Sequence, residues 1–351
     1  MAKQTLAVKY RPKSFDDVVE QQAIKDILTD QIKTGTFQHS YLFCGPAGCG
    51  KTTAARIFAN DINSGKGNPI EVDAASNNGV DNVREIIDGA RRKSLDSDYK
   101  VYIIDECHML STGAWNAMLK LLEEPPKTTV FIMCTTDPQK IPATILSRVQ
   151  RYNFSKISLD NIISRLKNIV EWEAAELEYE AGIVDSYTYT DEAIQYIAKL
   201  ADGGMRDAIT MMDKCLSLDP ELTVESVVRA LGTVDYHTHF DLLLKMETGV
   251  KDSAIALIED VYNSGKDLKQ FIKQFQYFVL DVCKYKMFHD FKYISIPALP
   301  EYKEKLEDED LELALEVLEW VRQLNADIKW ESNPKAITQT SIILFRPQEV
   351  D

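Results

Sequence analysis

The sequence lacks several features that mark common classes of protein. It has only six cysteines in 351 residues, and no two are closer than five positions, so no CxxC metal knuckle or redox pair can form. No stretch of 18 apolar residues is free of charged side chains, which excludes a membrane span. The first twelve residues carry basic side chains but no apolar core of a secretion signal. We therefore expect a cytoplasmic protein with reduced, buried cysteines and no membrane partner.

An excess of positive charge is also missing. Lys and Arg number 40 against 55 Asp and Glu, a net charge of −15, which argues against a protein that coats nucleic acid with its whole surface. The two parts of the chain differ, however. Residues 1–155 hold 19 basic and 18 acidic side chains, and residues 156–351 hold 21 and 37. The first part can therefore still carry a local basic patch.

The apolar pattern predicts an α/β region followed by helices. Between residues 40 and 154, short apolar runs alternate with segments of helix length, which is typical of βαβ units and a parallel sheet. After residue 155 the strand signal fades and amphipathic helical patterns continue. We predict three domains: a parallel αβα sheet domain at 1–155, a small helical domain at 156–232, and an all-α domain at 233–351.

A glycine-rich motif follows the first predicted strand. Residues 45–52 read Gly-Pro-Ala-Gly-Cys-Gly-Lys-Thr, the phosphate-loop pattern, and lie between a strand and a helix as its mechanism requires. Backbone N–H groups and the helix N-terminus would face the phosphates. Lys51 would reach the β and γ phosphates, and the Thr52 hydroxyl would ligate Mg²⁺. The predicted phosphate-binding residues are Gly45, Pro46, Ala47, Gly48, Cys49, Gly50, Lys51, Thr52 and Thr53.

Two carboxylates, Asp105 and Glu106, end a later apolar run. A carboxylate at the tip of a buried strand is costly unless it meets a cation, and Asp105 would do so through the metal bound by Thr52. Glu106 would then be free to orient and polarise an attacking water. Together with the phosphate loop, the pair predicts nucleotide hydrolysis. Cys107 and His108, which follow, are more typical of structural packing than of a metal site.

Four further residues are ambiguous by pattern alone. Thr135 and Thr136 close the next predicted strand, where a hydroxyl could meet the γ-phosphate or the water, although such pairs usually mark a turn. Arg148 and Arg206 lie near predicted domain junctions. Arginines at such places pair with an acid in some proteins and contact phosphate in others, and the pattern leaves both readings open.

Taken in this order, the motifs resemble those of the AAA+ ATPases and, more closely, of the gamma/tau-type clamp-loader subunits of bacterial DNA polymerase III. The most specific segments are Leu-Leu-Glu-Glu-Pro-Pro at 121–126, Thr-Thr-Asp-Pro-Gln-Lys at 135–140 and Leu-Ser-Arg at 146–148. The resemblance covers about the first 235 residues clearly and the rest by layout only. It implies a P-loop ATPase domain, a helical lid at 156–232, and an all-helical collar that forms the oligomer.

The resemblance also implies roles for matching residues. Lys51 and Thr52 match the Walker A motif, and Asp105 and Glu106 match the Walker B pair. Thr135 would be sensor 1, Arg148 an arginine finger that acts in trans on the neighbouring subunit, and Arg206 the sensor 2 residue of the lid. The residues that match the adenine-binding segment are Ala7, Tyr10, Arg11, Pro12, Val18 and Val19.

The sequence departs from the family pattern in two places. The family's four-cysteine zinc module has no counterpart at 60–70, which is too short and lacks cysteine, so we expect no bound zinc. Where the family reads Ser-Arg-Cys, this chain has Ser147-Arg148-Val149, which keeps the arginine. The chain also resembles the short form without the family's long tail. These departures would suit a phage or otherwise divergent replication system in bacteria.

The implied function is that of a sliding-clamp loader motor subunit with ATP and Mg²⁺ as ligands. ATP held between subunits of a pentamer would open the clamp, and hydrolysis on primer–template DNA would release it. The implied partners are the sliding clamp, primer–template DNA, and companion subunits that are copies of this chain or of the delta and delta-prime type. The alternative is another AAA+ DNA motor, such as a branch-migration helicase or a helicase loader. The pattern leaves two interpretations open for a group of basic residues: contact with DNA, or a solvated helix face. These residues are Arg84, Arg91, Arg92 and Lys93.

Overall fold

The computed structural model describes residues 4–181, 187–232 and 236–346. The chain divides into two compact units. The first comprises residues 1–169 and 201–213, and the second comprises residues 170–200 and 214–351. The division into three domains expected from the sequence stays a prediction.

Helices dominate the described residues, and the strands are short. The helices are α1 (Leu6–Lys9), α2 (Gln22–Thr34), α3 (Lys51–Ile62), α4 (Val80–Ala90), α5 (Thr112–Glu123), α6 (Ala143–Leu146), α7 (Leu159–Ala181), α8 (Asp191–Leu200), α9 (Met205–Leu218), α10 (Val224–Leu231), α11 (Tyr236–Glu247), α12 (Lys251–Asn263), α13 (Leu268–Phe288), α14 (Pro300–Asp308), α15 (Leu311–Ile328) and α16 (Pro334–Leu344). The strands are β1 (Ser40–Cys44), β2 (Ile70–Asp73), β3 (Lys100–Asp105), β4 (Thr129–Thr135), β5 (Gln150–Asn153), β6 (Thr188–Tyr189) and β7 (Glu221–Leu222).

The first unit is built on a five-stranded sheet in the order β2-β3-β4-β1-β5. Every neighbouring pair is parallel, which confirms the predicted parallel α/β architecture. Strands β1 and β4 are buried along their whole length, because a parallel sheet is covered by helices on both faces. The carboxyl ends of β3, β4 and β1 therefore lie side by side at one edge of the sheet.

Two apolar layers cover the two faces of this sheet. Along β1, Tyr41 and Phe43 belong to one layer, and Leu42 and Cys44 belong to the other, as the alternation of side chains along a strand requires. Burial of large side chains on both faces fixes the strand register, because a slip by one residue would exchange the two layers. The strand ends that bear polar residues are thereby held in place.

The second unit is largely helical. Its core includes Phe271, Phe275 and Phe278 of α13, with Val317 and Val321 of α15, and the i, i+3 and i, i+4 spacings place these side chains on one face of each helix. This confirms the predicted helical character of the carboxyl-terminal region. The sequence pattern did not indicate the two-residue strands β6 and β7, which pair in parallel, because two residues are too few to show a period of two. In the part of the chain that the structure describes, no helix combines the length and hydropathy needed to cross a bilayer.

Candidate nucleotide-binding site

A cleft lies where the carboxyl ends of β1 and β3 meet the N-terminal segment, the usual place for a ligand in an open α/β sheet. Its lining contains all the residues expected against adenine and most of the motif residues. The predicted site residues that line it are Ala7, Tyr10, Arg11, Pro12, Val18, Val19, Ala47, Gly48, Cys49, Gly50, Lys51, Thr52, Thr53, Asp105, Glu106 and Arg206. Four others, Gly45, Pro46, Thr135 and Arg148, are not among its lining residues.

The loop between β1 and α3 has backbone angles that favour glycine. Gly48 has φ +69°, and a Cβ built there would lie 2.9 Å from the Gly204 Cα. At Gly45, with φ +153°, a Cβ would lie 2.4 Å from the Phe154 carbonyl oxygen. The loop therefore passes too close to other backbone for a side chain at either position. It leads directly into α3 at Lys51, whose N-terminal N–H groups and partial positive charge suit an anion.

Lys51 places a buried cation in this loop. The residue is only 6% exposed, and its Nζ donates to the carbonyl oxygens of Gly45 at 2.8 Å and Pro46 at 2.7 Å. Within the described ranges no carboxylate forms an ion pair with it. A buried charge without a counter-ion is costly. The loop therefore fits the phosphates of a nucleotide, which would supply the missing negative charge.

Thr52 and Asp105 bring two hard oxygen ligands together. The Thr52 Oγ1 donates to the Asp105 Oδ2 at 2.8 Å, and the Asp105 Oδ1 accepts the Glu106 backbone N–H at 3.0 Å. Over the described residues, no group of three or more His, Cys, Asp or Glu side chains is placed to hold a metal ion. The pair fits Mg²⁺, which commonly takes one or two protein oxygens and completes its shell with phosphate and water oxygens. The absence of zinc stays a prediction.

Glu106 is held in an unusual conformation beside this pair. Its φ of 45° and ψ of 43° place it in the left-handed region, which costs a non-glycine residue roughly 1–3 kcal/mol and is over-represented at functional sites. Its Oε2 accepts the Thr136 Oγ1–H at 2.9 Å and lies 3.2 Å from the His108 Nδ1. The carboxylate lines the cleft, and the Thr136 hydroxyl, which lies outside the cleft lining, bonds to one of its oxygens.

The sequence analysis missed the roles of His108 and Thr136. It treated His108 as a packing residue, whereas the imidazole contacts Glu106 and also lies 3.1 Å from the Thr135 Oγ1. Thr135 itself is fully buried, and its Oγ1 accepts the Asp137 backbone N–H at 3.0 Å. Direct contact between Thr135 and a γ-phosphate stays a prediction. In the sequence, the only signal for this network was that two predicted strands end in polar residues. That signal predicts contacts between them only if β3 and β4 are known to be neighbours in the sheet.

The N-terminal segment and the start of α9 close the other side of the cleft. The Leu6 backbone N–H donates to the Asp213 Oδ2 at 3.0 Å, and the Arg165 Nη2 donates to the Tyr10 carbonyl oxygen at 3.2 Å. Burial lowers the pKa of Arg165. The Met205 backbone N–H donates to the Gly48 carbonyl oxygen at 3.1 Å, which joins α9 to the phosphate loop. Arg206, the next residue, is thereby placed in the cleft.

Arg148 lies apart from this cleft and has partners of its own. Its Nε donates to the Glu123 Oε1 at 2.9 Å, and its Nη1 donates to the Thr144 carbonyl oxygen at 2.5 Å. Its side chain remains 31% exposed. Of the two readings that the sequence left open, the structure shows pairing with an acid within the chain. A role for Arg148 in a neighbouring subunit stays a prediction.

The cysteines are packing residues in this structure. All six fall within the described residues, and all are buried free thiols. Burial raises the pKa of Cys49 in the phosphate loop and that of Cys44 just before it, so neither thiol is activated as a nucleophile. This agrees with the expectation that both residues pack rather than react.

The strand order, the glycine loop after β1 and the acidic pair after β3 define the class of protein as an AAA+-like P-loop fold. Solved structures of Thermotoga maritima RuvB, described as a Holliday junction branch migration motor, share this fold. One matches with a TM-score of 0.50 at 19% identity and covers 68% of this chain and 79% of its own. A point mutant of the same protein matches with a TM-score of 0.51 over the same shares. At this identity the likeness shows the fold alone.

Sequence comparison identifies the particular group. The chain is homologous to the tau and gamma/tau subunits of bacterial DNA polymerase III. It is 34% identical to the Bacillus subtilis tau subunit, over 98% of this chain and 63% of that protein. It is 33% identical to the Escherichia coli tau subunit, over 76% and 43%. The chain thus spans less than two thirds of the length of these relatives. Residues 70–158 match the family model described as DNA polymerase III, delta subunit.

Proposed function

We propose that this chain is an ATP-hydrolysing motor subunit of a sliding-clamp loader in DNA replication. Homology to the tau and gamma/tau subunits supports the replication role. One observation carries the ATPase assignment: the buried Lys51, the Thr52–Asp105 pair and Glu106 share one cleft. No single one of these features is specific, but together they supply the anion site, the metal ligands and the base that phosphoryl transfer to water needs.

Nucleotide binding uses the two walls of the cleft differently. The adenine would lie against the N-terminal segment around Tyr10, Arg11 and Pro12, and the phosphates would lie on the glycine loop. The Lys51 ammonium would turn from the loop carbonyl oxygens to the β and γ phosphates. Mg²⁺, held by Thr52 and Asp105, would neutralise charge on the phosphate oxygens.

Hydrolysis requires a water aligned with the γ-phosphorus and a base to orient it. Glu106 lines the cleft beside Asp105, which supports a role in which its carboxylate would accept a hydrogen bond from that water and take its proton. Arg206 would contribute positive charge from α9, in the same chain. These groups act by position and charge, which is how phosphoryl transfer is catalysed in this class.

The arginine finger would come from a neighbouring subunit. Arg148 does not line the cleft of its own chain, and its partly exposed guanidinium is held by Glu123. This arrangement supports a role in trans within a pentamer of copies of this chain or of delta and delta-prime type subunits. ATP would favour the assembly state that binds and opens the clamp, and its hydrolysis would favour release.

Primer–template DNA would contact the first unit, which contains the nearly neutral part of the sequence. Arg84, Arg91, Arg92 and Lys93 are all exposed on or just after α4, and Arg84 pairs with Asp81. Exposed cations on one segment suit phosphate contacts without base specificity. Affinity for DNA through these residues would fall with rising salt, and substituting them would reduce that salt dependence.

The test is to measure ATP turnover by the full chain alone, with companion subunits and clamp, and with primer–template DNA added. The proposal predicts ATP binding, slow turnover by the chain alone, and stimulation that requires the complete set. Full-rate hydrolysis that is indifferent to clamp and DNA would contradict clamp loading. Strand displacement or branch migration without a clamp would instead identify another AAA+ DNA motor.

A further inference from the structure

His108 joins two parts of the site that the chain brings together from different strands. It lies in the short turn Cys107–Met109 that follows β3, and its side chain is only 10% exposed. The same ring nitrogen, Nδ1, lies 3.2 Å from the Glu106 Oε2 and 3.1 Å from the Thr135 Oγ1 at the end of β4. One imidazole nitrogen therefore bridges the carboxylate and the buried hydroxyl.

The chemistry of these groups decides which tautomer the ring adopts. An ionised carboxylate only accepts hydrogen bonds. If Nδ1 carried no hydrogen, its lone pair would face a carboxylate oxygen at 3.2 Å, which is repulsive. With the hydrogen on Nδ1, the ring donates a hydrogen bond to the Thr135 Oγ1, and the polar N–H group lies beside the negative carboxylate. The carboxylate therefore favours the Nδ1–H tautomer.

Two side chains contact the same oxygen of Glu106. Thr136 donates a hydrogen bond to Oε2, and the His108 Nδ1 lies 3.2 Å from it. The second oxygen, Oε1, has no hydrogen-bond partner in the described residues, and Glu106 lines the cleft. With one carboxylate oxygen held in this way, the other would orient the water.

We propose that His108 is a positioning residue that couples Thr135 of β4 to Glu106 through its Nδ1–H. A shift at the end of β4 would then move the base without any contact between Thr135 and the nucleotide. This inference rests on the proposed function, because Glu106 matters as a base only if the chain hydrolyses ATP. The contacts of the His108 Nδ1 with Thr135 and Glu106 do not depend on that function, so the two can be tested separately.

The first test compares three variants of His108 in the full chain with its companion subunits, clamp and DNA. His108→Leu should lower kcat about ten- to hundredfold, since misplacement of a reacting group by about 1 Å has effects of this size. It should leave the dissociation constant for ATP unchanged. His108→Asn places an amide N–H near the position of Nδ1 and should restore most of kcat. His108→Gln places its amide one bond farther out and should not.

The Asn and Gln variants carry the same carboxamide group at different distances from the backbone. Retained ATP binding shows that each variant is folded, so a difference between their rates reports where the amide lies. An unchanged kcat in His108→Leu would overturn the proposal. So would equal rates in the Asn and Gln variants, or a raised KM with unchanged kcat.

The second test reads the tautomer directly in the nucleotide-free protein from the nitrogen chemical shifts of its histidine rings. The sequence has five histidines, and the His108→Asn variant assigns the signal by its loss. The expected result is a hydrogen on Nδ1, with the preference weakened in Glu106→Gln. A hydrogen on Nε2 with a bare Nδ1 would overturn the bridge. If the wild type bound ATP but never hydrolysed it, the proposed function would fail. The nitrogen chemical shifts would still show whether the His108 Nδ1 carries the hydrogen.

Discussion

The two sides of the cleft are built in different ways. On the phosphate side, backbone makes the site: glycines with positive φ, a helix that begins at Lys51, and carbonyl oxygens that hold its ammonium. On the proposed hydrolysis side, side chains make it, since Glu106 accepts a hydrogen bond from Thr136 and contacts His108, and the two residues come from different strand ends. Because the two sides use different groups, we expect ATP binding and ATP turnover to respond to separate sets of substitutions.

The largest effect on nucleotide binding is expected from Lys51→Ala. The cleft would lose its buried cation, so ATP affinity should fall at least about 100-fold, as expected for loss of a charge-assisted bond in a low-dielectric site. Isothermal titration with ATP and Mg²⁺ measures this. The matched control is Lys33→Ala, at an exposed lysine of α2, which should bind as the wild type does. Equal affinity in both variants would remove Lys51 from the site.

Glu106→Gln should separate the two sides most clearly. The amide keeps the shape of the side chain but cannot take a proton, so turnover should fall about 10³-fold while ATP binding is retained. Steady-state phosphate release measures the rate. Glu124→Gln, at an exposed carboxylate just after α5, is the control and should be neutral. A variant that lost binding together with turnover would break the proposed division.

Arg148→Ala should affect turnover in the assembled complex by about 10²-fold, the usual effect of losing one donor to the transition state. ATP binding by the same chain should not change, because Arg148 lies outside its own cleft. Mixing this variant with Lys51→Ala should restore part of the rate, since each subunit then supplies what its neighbour lacks. No restoration on mixing would contradict action in trans. Arg322→Ala, which breaks a similar exposed pair with Glu319, is the control.

Gly48→Ala tests the phosphate side of the cleft with the smallest change, the addition of one methyl group. Gly35 has almost the same φ, +68° against +69°, but its added Cβ would meet nothing within 4 Å. Gly35→Ala should therefore cost only the left-handed strain, about 1 kcal/mol of unfolding free energy. Gly48→Ala should cost more and should also weaken ATP binding, because the loop must shift away from Gly204. Denaturant unfolding and ATP titration of both variants measure the difference. Equal effects would show that the close approach does not constrain the loop.

Much of the phosphate side could be predicted from the sequence. The residues from Gly45 to Thr52 are consecutive, and backbone geometry follows from local residue types such as glycine before a helix. The parallel sheet was also predictable, because buried strands such as β1 and β4 are apolar on both faces. The local sequence pattern was therefore sufficient for the phosphate loop and for the buried parallel strands.

The hydrolysis side could not be predicted in the same way. His108 and Thr136 are 28 positions apart, and their contacts with Glu106 depend on β3 and β4 being neighbours in the sheet. Periodicity predicts strands but not their order. The sequence therefore indicated a carboxylate that orients water, but not the imidazole and hydroxyl that hold it. The fully buried position of Thr135 likewise follows from the sheet, not from the Thr-Thr pattern.

The central claim is that this cleft binds ATP through its phosphate side and hydrolyses it through the carboxylate of its hydrolysis side. The most direct measurement is ATP binding and single-turnover phosphate release, made on the same samples of wild type, Lys51→Ala and Glu106→Gln with clamp, companion subunits and DNA. The account predicts binding and release by the wild type, neither by Lys51→Ala, and binding without release by Glu106→Gln. Phosphate release by Glu106→Gln at the wild-type rate, or by Lys51→Ala, would contradict it.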